Sequence, residues 1–188
     1  MQIDVLSGLI KEARQQPSPN CDSRPDESDI SLIVVHGISL PPGEFGDDYI
    51  DQLFTNNLNP DDHPYFKEIS GLKVSSHLLI RRDGELVQYV PLQKRAWHAG
   101  VSKYENRENC NDFSIGIELE GADETPYTDS QYQVLSELIQ NLIQSYPALT
   151  KDTISGHSDI APGRKTDPGI AFDWVHLRNL LSVNNNHV

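Results

Sequence analysis

The stretch Ser31-Leu32-Ile33-Val34-Val35-His36-Gly37 decides the fold. Four apolar residues in a row, three of them β-branched, show no alternation between faces, so both faces of the strand they form must be covered. Such a strand lies in the middle of a sheet with helices above and below, and here it delivers His36 at its end. A turn follows from Gly37 to Gly43. Upstream, Pro17 to Asp29 is rich in Pro, Ser and Asp and reads as an extended approach, with the fold proper expected to begin after it.

Outward from this strand, Tyr49, Ile50, Leu53 and Phe54 recur at helical spacing within Asp47 to Asn56. Val74 to Ile80 and Glu85 to Val90 flank Asp83-Gly84, a two-residue hairpin signal that predicts two antiparallel strands. Phe113 to Glu120 alternates, with Phe113, Ile115, Ile117 and Leu119 on one face and Ser114, Gly116, Glu118 and Glu120 on the other. Glu120 is assigned to a solvated outer face. Asp129 to Tyr146 places Tyr132, Leu135, Leu138, Ile139, Leu142 and Ile143 on one helical stripe, with Thr128 or Asp129 as N-cap and Pro147 ending it. Thr153 to His157 reads as a short strand running into a loop, and Asp173 caps a last helix through Leu181. Helices interspersed with strands, plus one hairpin, predict an α/β fold: a central mixed sheet flanked by α-helices.

The 188 residues suffice for one compact domain, expected to span 1–188. Acidic residues outnumber basic ones by 28 to 15, and the resulting charge of −13 repels nucleic acid, so an anionic ligand must meet a local positive site. No apolar stretch approaches the roughly 20 residues of a membrane span. Met1 to Lys11 has Asp4 inside its apolar run and no basic residues before it, unlike a secretory signal, so a cytoplasmic location is expected. Cys21 and Cys110 are expected to be free thiols.

Of seven histidines (His36, His63, His77, His98, His157, His176 and His187), two end predicted strands. These are His36 and His157. The loop after His157 is stiffened by Pro162 and Pro168 and can hold a carboxylate at a fixed position. Two histidines and one Asp would make a three-ligand zinc site with an open fourth position. The long separation of His36 from His157 matches no local zinc motif, so spacing alone favours histidines satisfied within the core.

Five segments in order, VVHGISLPPG at 34–43, RRDG at 81–84, RAWHAG at 95–100, NDFSIGIELEG at 111–121 and GHSDIAPGRKTDPG at 156–169, resemble the zinc N-acetylmuramoyl-L-alanine amidases. The likeness runs from about residue 17 to 181, the expected catalytic core, and is greatest to the cytosolic anhydromuropeptide branch. It implies one Zn²⁺ per chain on His36, His157 and Asp167, although some relatives, phage amidases among them, carry Cys where Asp167 falls. It implies Glu118 as the group that takes a proton from the attacking water and returns one to the leaving amine. Phage relatives use a tyrosine where this chain has Ser76, and Glu118 is expected to stand in for it. Lys165 matches a basic residue that stabilises the oxyanion. Trp97 and His98 are expected to line the substrate cleft, and Lys73 and Arg107 to meet substrate carboxylates. Two positions depart from the pattern. Gly37 stands where Asn often follows the first ligand, and Asn109 where Arg often stands, a role Arg107 is expected to take over.

The resemblance further implies a monomer that hydrolyses the amide between the lactyl group of 1,6-anhydro-N-acetylmuramic acid and L-alanine in recycled muropeptides. Control of β-lactamase induction is part of the same implication. The alternatives are a lytic amidase on intact peptidoglycan and a non-catalytic peptidoglycan-binding protein, and the latter scaffold lacks metal ligands that are all present here. Loops Asp61 to Lys73 and Gly100 to Asp112 are placed to gate a cleft.

Overall fold

The computed structural model describes residues 1–183, and His187 lies outside the described residues. A six-stranded mixed sheet runs in the order Ile154–Gly156, Leu32–Ile38, Ser114–Glu120, Leu78–Ile80, Leu86–Gln88, Arg14–Gln15. The first four strands are mutually parallel, Leu78–Ile80 and Leu86–Gln88 form the predicted antiparallel hairpin, and Arg14–Gln15 adds a parallel edge. Both faces are covered, as the unbroken apolar run at Leu32 requires. Ile33, Val35, Ile115, Ile117 and Leu119 pack under the helices Asp129–Ser145 and Trp174–Val183. On the opposite face Leu32 and Val34 meet Phe113 and Ile160, and Leu79 and Val87 meet Leu53, Phe54 and Phe66.

The long helix starts where expected because Thr128 and Gln131 form a capping box. Thr128 Oγ1 accepts from the Gln131 N–H at 3.2 Å, and Gln131 Oε1 accepts from the Thr128 N–H at 3.0 Å. Asp173 caps the last helix by accepting from the His176 N–H at 2.8 Å. The helix near Asp47 is shorter than its pattern, Tyr49–Phe54, and Asp48 makes no side-chain cap bond. Among the described residues no helix is long and apolar enough to cross a membrane. Cys21 and Cys110 are both unpaired.

Two expectations need correction. The residues before Ser31 belong to the fold: Arg14–Gln15 extends the sheet, Cys21–Ser23 pairs with Lys94–Ala96, and Arg24 is buried. Its guanidinium donates to the carbonyls of Leu92, Asn111, Asp112 and Ser114, so backbone acceptors replace water around the charge. Strands of two or three residues carry too little periodicity to be seen in the sequence. Glu120 is likewise buried, at 2% exposure. Its carboxylate accepts from the Gly46 and Arg82 N–H groups at 2.7 and 3.1 Å and pairs with Arg81 at 3.5 Å. Alternation correctly set its face, but not what covers that face.

His77 gives the fold a pH dependence. It is fully buried, with Nδ1 accepting from the Gly116 N–H at 3.0 Å and Nε2 donating to the Lys94 carbonyl at 2.9 Å. Burial first, and the Arg24 guanidinium second, pull its pKa down to about 3. A base whose folded pKa is depressed contributes stability above its unfolded value of about 6.5, and loses it as pH falls toward the folded value. Urea denaturation between about pH 7 and pH 4 should therefore show wild-type stability dropping with proton uptake. His77→Gln keeps a donor for Lys94 but cannot be protonated, so it is expected to be less stable at neutral pH and to lose less on acidification. A drop of equal size in both proteins would assign the acid sensitivity elsewhere.

Candidate metal centre and active site

Register builds the centre. His36 lies directly beside Glu118 in the parallel pair, and Gly156 lies beside Val35, so His157 emerges just past the same strand ends. Ligand sites in open α/β sheets form at the carboxyl ends of parallel strands, and three such ends converge here. His157 opens the short helix His157–Ile160, and the chain then returns through 161–167 to place Asp167 opposite it. Two contacts pin the returning loop. The Asp167 carbonyl accepts from the Ser158 N–H at 2.9 Å, and Tyr127 donates to the Pro168 carbonyl at 2.8 Å.

The three side chains form a compact triangle: His36 Nδ1 to His157 Nδ1 is 2.9 Å, His36 Nδ1 to Asp167 Oδ2 3.2 Å, and His157 Nδ1 to Asp167 Oδ2 3.0 Å. Ligands about 2.0–2.1 Å from a tetrahedral ion stand roughly 3.3 Å apart, so this triangle fits zinc with little adjustment. The donor set fits as well, since two imidazoles and one carboxylate leave a fourth position open. His157 Nε2 donates to the Ala99 carbonyl at 3.1 Å, which leaves Nδ1 as the atom the ring can offer to a metal at the triangle. Burial, the main influence, pulls His36 down to about 4, which favours its neutral ring.

Glu118 completes the arrangement. Its Oε1 stands 4.0 Å from His36 Nδ1, while its Oε2 is buried without any hydrogen-bond partner. A buried carboxylate oxygen left bare is costly unless a ligand, water or ion meets it, and its sister oxygen Oε1 is the one that stands near the triangle. Burial, then the facing Asp167, push Glu118 well above the usual carboxylate range, against the pull of Lys165. That shift moves it toward the range in which a carboxyl exchanges protons near neutral pH. A cleft of about 540 Å³ opens over the centre, within the size range of small-ligand sites. His36, Glu118, His157, Lys165 and Asp167 are among its polar lining, and Leu53, Phe54, Tyr65, Leu72 and Val74 among its apolar lining.

The family model described as N-acetylmuramoyl-L-alanine amidase matches residues 26–170. The chain belongs to the N-acetylmuramoyl-L-alanine amidase family. It is 62% identical over 176 residues, 94% of each chain, to the 1,6-anhydro-N-acetylmuramyl-L-alanine amidase AmpD of Salmonella typhimurium strain SL1344. A crystal structure of a Se-Met AmpD derivative superposes with a TM-score of 0.93 at 59% identity, covering 97% of this chain and 100% of that one. The Escherichia coli amidase AmiD, solved with anhydro-N-acetylmuramic acid-L-Ala-D-gamma-Glu-L-Lys, superposes with a TM-score of 0.60 at 28% identity over 81% of this chain and 57% of that one.

The other residues singled out in this amidase sequence disperse. His98 lines the cleft, but its ring also stands behind His36, with Nδ1 2.9 Å from His36 Nε2. Its neighbour Trp97 lies outside the cleft lining and pairs through its backbone with Ser75. Lys73 is exposed at the rim, between the lining residues Leu72 and Val74. Arg107 is turned away: it donates to Asp29 at 2.5 Å and to Ser31 at 3.0 Å, and stacks 3.6 Å from the Phe113 ring. Asn109 borders a separate groove with Ser102, Glu108 and Arg164, and neither it nor Arg107 lines the cleft over the centre. Tyr127 was missed by sequence reading, and it accounts for Gly37. A Cβ at position 37 would lie 2.3 Å from the Tyr127 hydroxyl that holds the Pro168 carbonyl. The available signal was a glycine directly after a strand-end histidine.

Proposed function

We propose that the chain hydrolyses the amide between the lactyl group of 1,6-anhydro-N-acetylmuramic acid and L-alanine in muropeptides, in cell-wall recycling. The observation that carries this reading is the Glu118 carboxylate beside the His36, His157 and Asp167 triangle, with Oε1 4.0 Å from His36 Nδ1 and Oε2 buried without a hydrogen-bond partner. Near-full-length identity to AmpD supports the substrate. Bound zinc supplies Lewis acidity, polarising a carbonyl and lowering the pKa of water to about 7.

The chain's own groups do the rest. His36, His157 and Asp167 hold one ion. Glu118 accepts a proton from the attacking water as oxygen adds to the lactyl carbonyl carbon, and it delivers a proton to the L-alanine nitrogen as the C–N bond breaks. Lys165, on the cleft wall, places its ammonium toward the oxyanion that develops on the carbonyl. The apolar lining of the cleft receives the less polar surface of the sugar, and exposed Lys73 offers a cation at the rim for a stem carboxylate. One chain carries every residue of this reading, so a monomer suffices. The reading places the reaction in the cytoplasm, in keeping with the unpaired Cys21 and Cys110.

The test is to give the zinc-loaded protein purified anhydromuropeptide and intact sacculi at equal bond concentration, and to measure free peptide. Faster release from anhydromuropeptide is expected. Faster release from sacculi would make it a lytic amidase, and release from neither would leave a binding protein.

A further inference from the structure

The NDFS run at 111–114 helps to mark the family, yet the chemistry above makes no use of it. The structure gives it a task. Asn111 Oδ1 accepts from the backbone N–H groups of His98 and Ala99, at 3.1 and 2.8 Å, and so clamps the loop that carries His98. Ser114, fully buried, lies on the strand face shared with Gly116 and Glu118. Its hydroxyl is 2.6 Å from the Cys110 carbonyl and 3.1 Å from His98 Nε2.

Those distances fix the direction of a chain of hydrogen bonds. A carbonyl oxygen only accepts, so the Ser114 proton is committed to Cys110, and Oγ has only lone pairs left for His98. His98 Nε2 must carry the ring proton. No carboxylate reaches either nitrogen of His98 among the described residues, and each nitrogen already has one neighbour, so the half-buried ring holds one proton and its Nδ1 is an acceptor. The partner of that acceptor is His36 Nε2, at 2.9 Å, which therefore donates. With its proton on Nε2, His36 turns a bare Nδ1 to His157 and Asp167.

We propose that Ser114 and His98 form a positioning relay that fixes His36 in its Nε2–H tautomer and thereby keeps Nδ1 available to the metal. The proposal rests on the ligand set given above. Without the Ser114 oxygen, His98 is free to carry its proton on Nδ1 and donate to His36 Nε2, which moves the His36 proton onto the ligating atom. The seat for His98 is built to match: a Cβ on Gly116 would come within 2.5 Å of His98 Cγ, so only glycine lets the ring lie against the strand. His157 reaches the same state through one backbone carbonyl, whereas His36 needs two side chains.

Two measurements decide it. Long-range proton–nitrogen correlation spectra of the metal-free wild type at neutral pH should show His36 protonated on Nε2, and Ser114→Ala should show a mixture of tautomers. Chelator competition should show zinc held about ten- to a hundredfold more weakly by Ser114→Ala. A dominant Nδ1–H form of His36 in the wild type overturns the relay, and this spectrum decides the matter even if the variant does not fold. Weaker zinc with an unchanged tautomer marks a packing effect and overturns it too, as does unchanged affinity. Should the wild type take up no zinc at all, the ligand set fails, while the metal-free spectra still judge the relay.

Discussion

Replacing any one of His36, His157 or Asp167 by alanine is expected to cost the protein its stoichiometric zinc and its activity together. The triangle has edges of 2.9–3.2 Å and offers one atom per residue, so removing a corner leaves two ligands where catalytic zinc takes three. The stability readout separates this from a packing effect. An ion that binds only the folded state adds RT ln(1 + [L]/Kd), about 2.7 kcal/mol at a hundredfold excess over Kd, so zinc should raise the unfolding midpoint of the wild type. The alanine variants should show no such rise. His36 and His157 are buried at 1% and 3% exposure, so their variants also lose stability without metal; Asp167, whose side chain is 16% exposed, is the cleaner probe. If His36→Ala keeps both full zinc and full activity, the ligand assignment is wrong and the histidines are core residues after all. Asp167→Cys should bind zinc and resist chelation better than wild type, because thiolate is the softer ligand.

What could be read from the sequence followed the length of each pattern. The Leu32 run, the alternation through Ile115, Ile117 and Leu119 and the stripe from Tyr132 to Ile143 each extend over enough residues to set element type and buried face, and the structure has all three; Phe113, read with Ile115, instead precedes the strand and packs with Leu32 and Val34 on the other face. Strands of two or three residues, such as Arg14–Gln15 and Cys21–Ser23, escape because they are held by partners distant in sequence rather than by their own periodicity. The same limit applied to the site. His36 and Glu118 were visible as polar residues on buried strands, but their adjacency is a matter of register between strands, which no local pattern encodes. Only the resemblance joined His36 to His157 and Asp167. Ion pairing was equally hidden: Arg107 looked like a cation free for substrate until Asp29, 78 residues away, claimed it. Glu120, two residues from Glu118 on the same face, shows how far apart equal sequence signals can end. One carboxylate is fully satisfied by Gly46, Arg82 and Arg81, while the other keeps a bare oxygen.

That contrast predicts opposite results for one substitution. Glu118→Gln keeps the size of the side chain and removes its capacity to take a proton, so zinc content and fold should persist while turnover falls at least about a hundredfold, the lower end of a general acid–base contribution. Stability should hold or rise slightly, because an amide replaces a buried carboxylate that has Asp167 facing it and one oxygen unpartnered. Glu120→Gln should do the reverse. It weakens bonds to Arg81, Arg82 and Gly46 in a buried network, so it lowers the unfolding midpoint, and the surviving folded enzyme turns over at close to the wild-type rate. Zinc content, unfolding midpoint and kcat measured on the pair distinguish a proton carrier from a structural carboxylate. A Glu118→Gln enzyme with near-normal kcat would pass the proton transfer to another group on the cleft wall, and Lys165 is the first to test. A loss of zinc from Glu118→Gln would instead make Glu118 a partner of the ligands and remove it from the chemistry. The expected pattern, full zinc with turnover cut a hundredfold in one variant and lost stability with intact turnover in the other, ties catalysis to the one carboxylate on that strand face that the fold leaves unsatisfied.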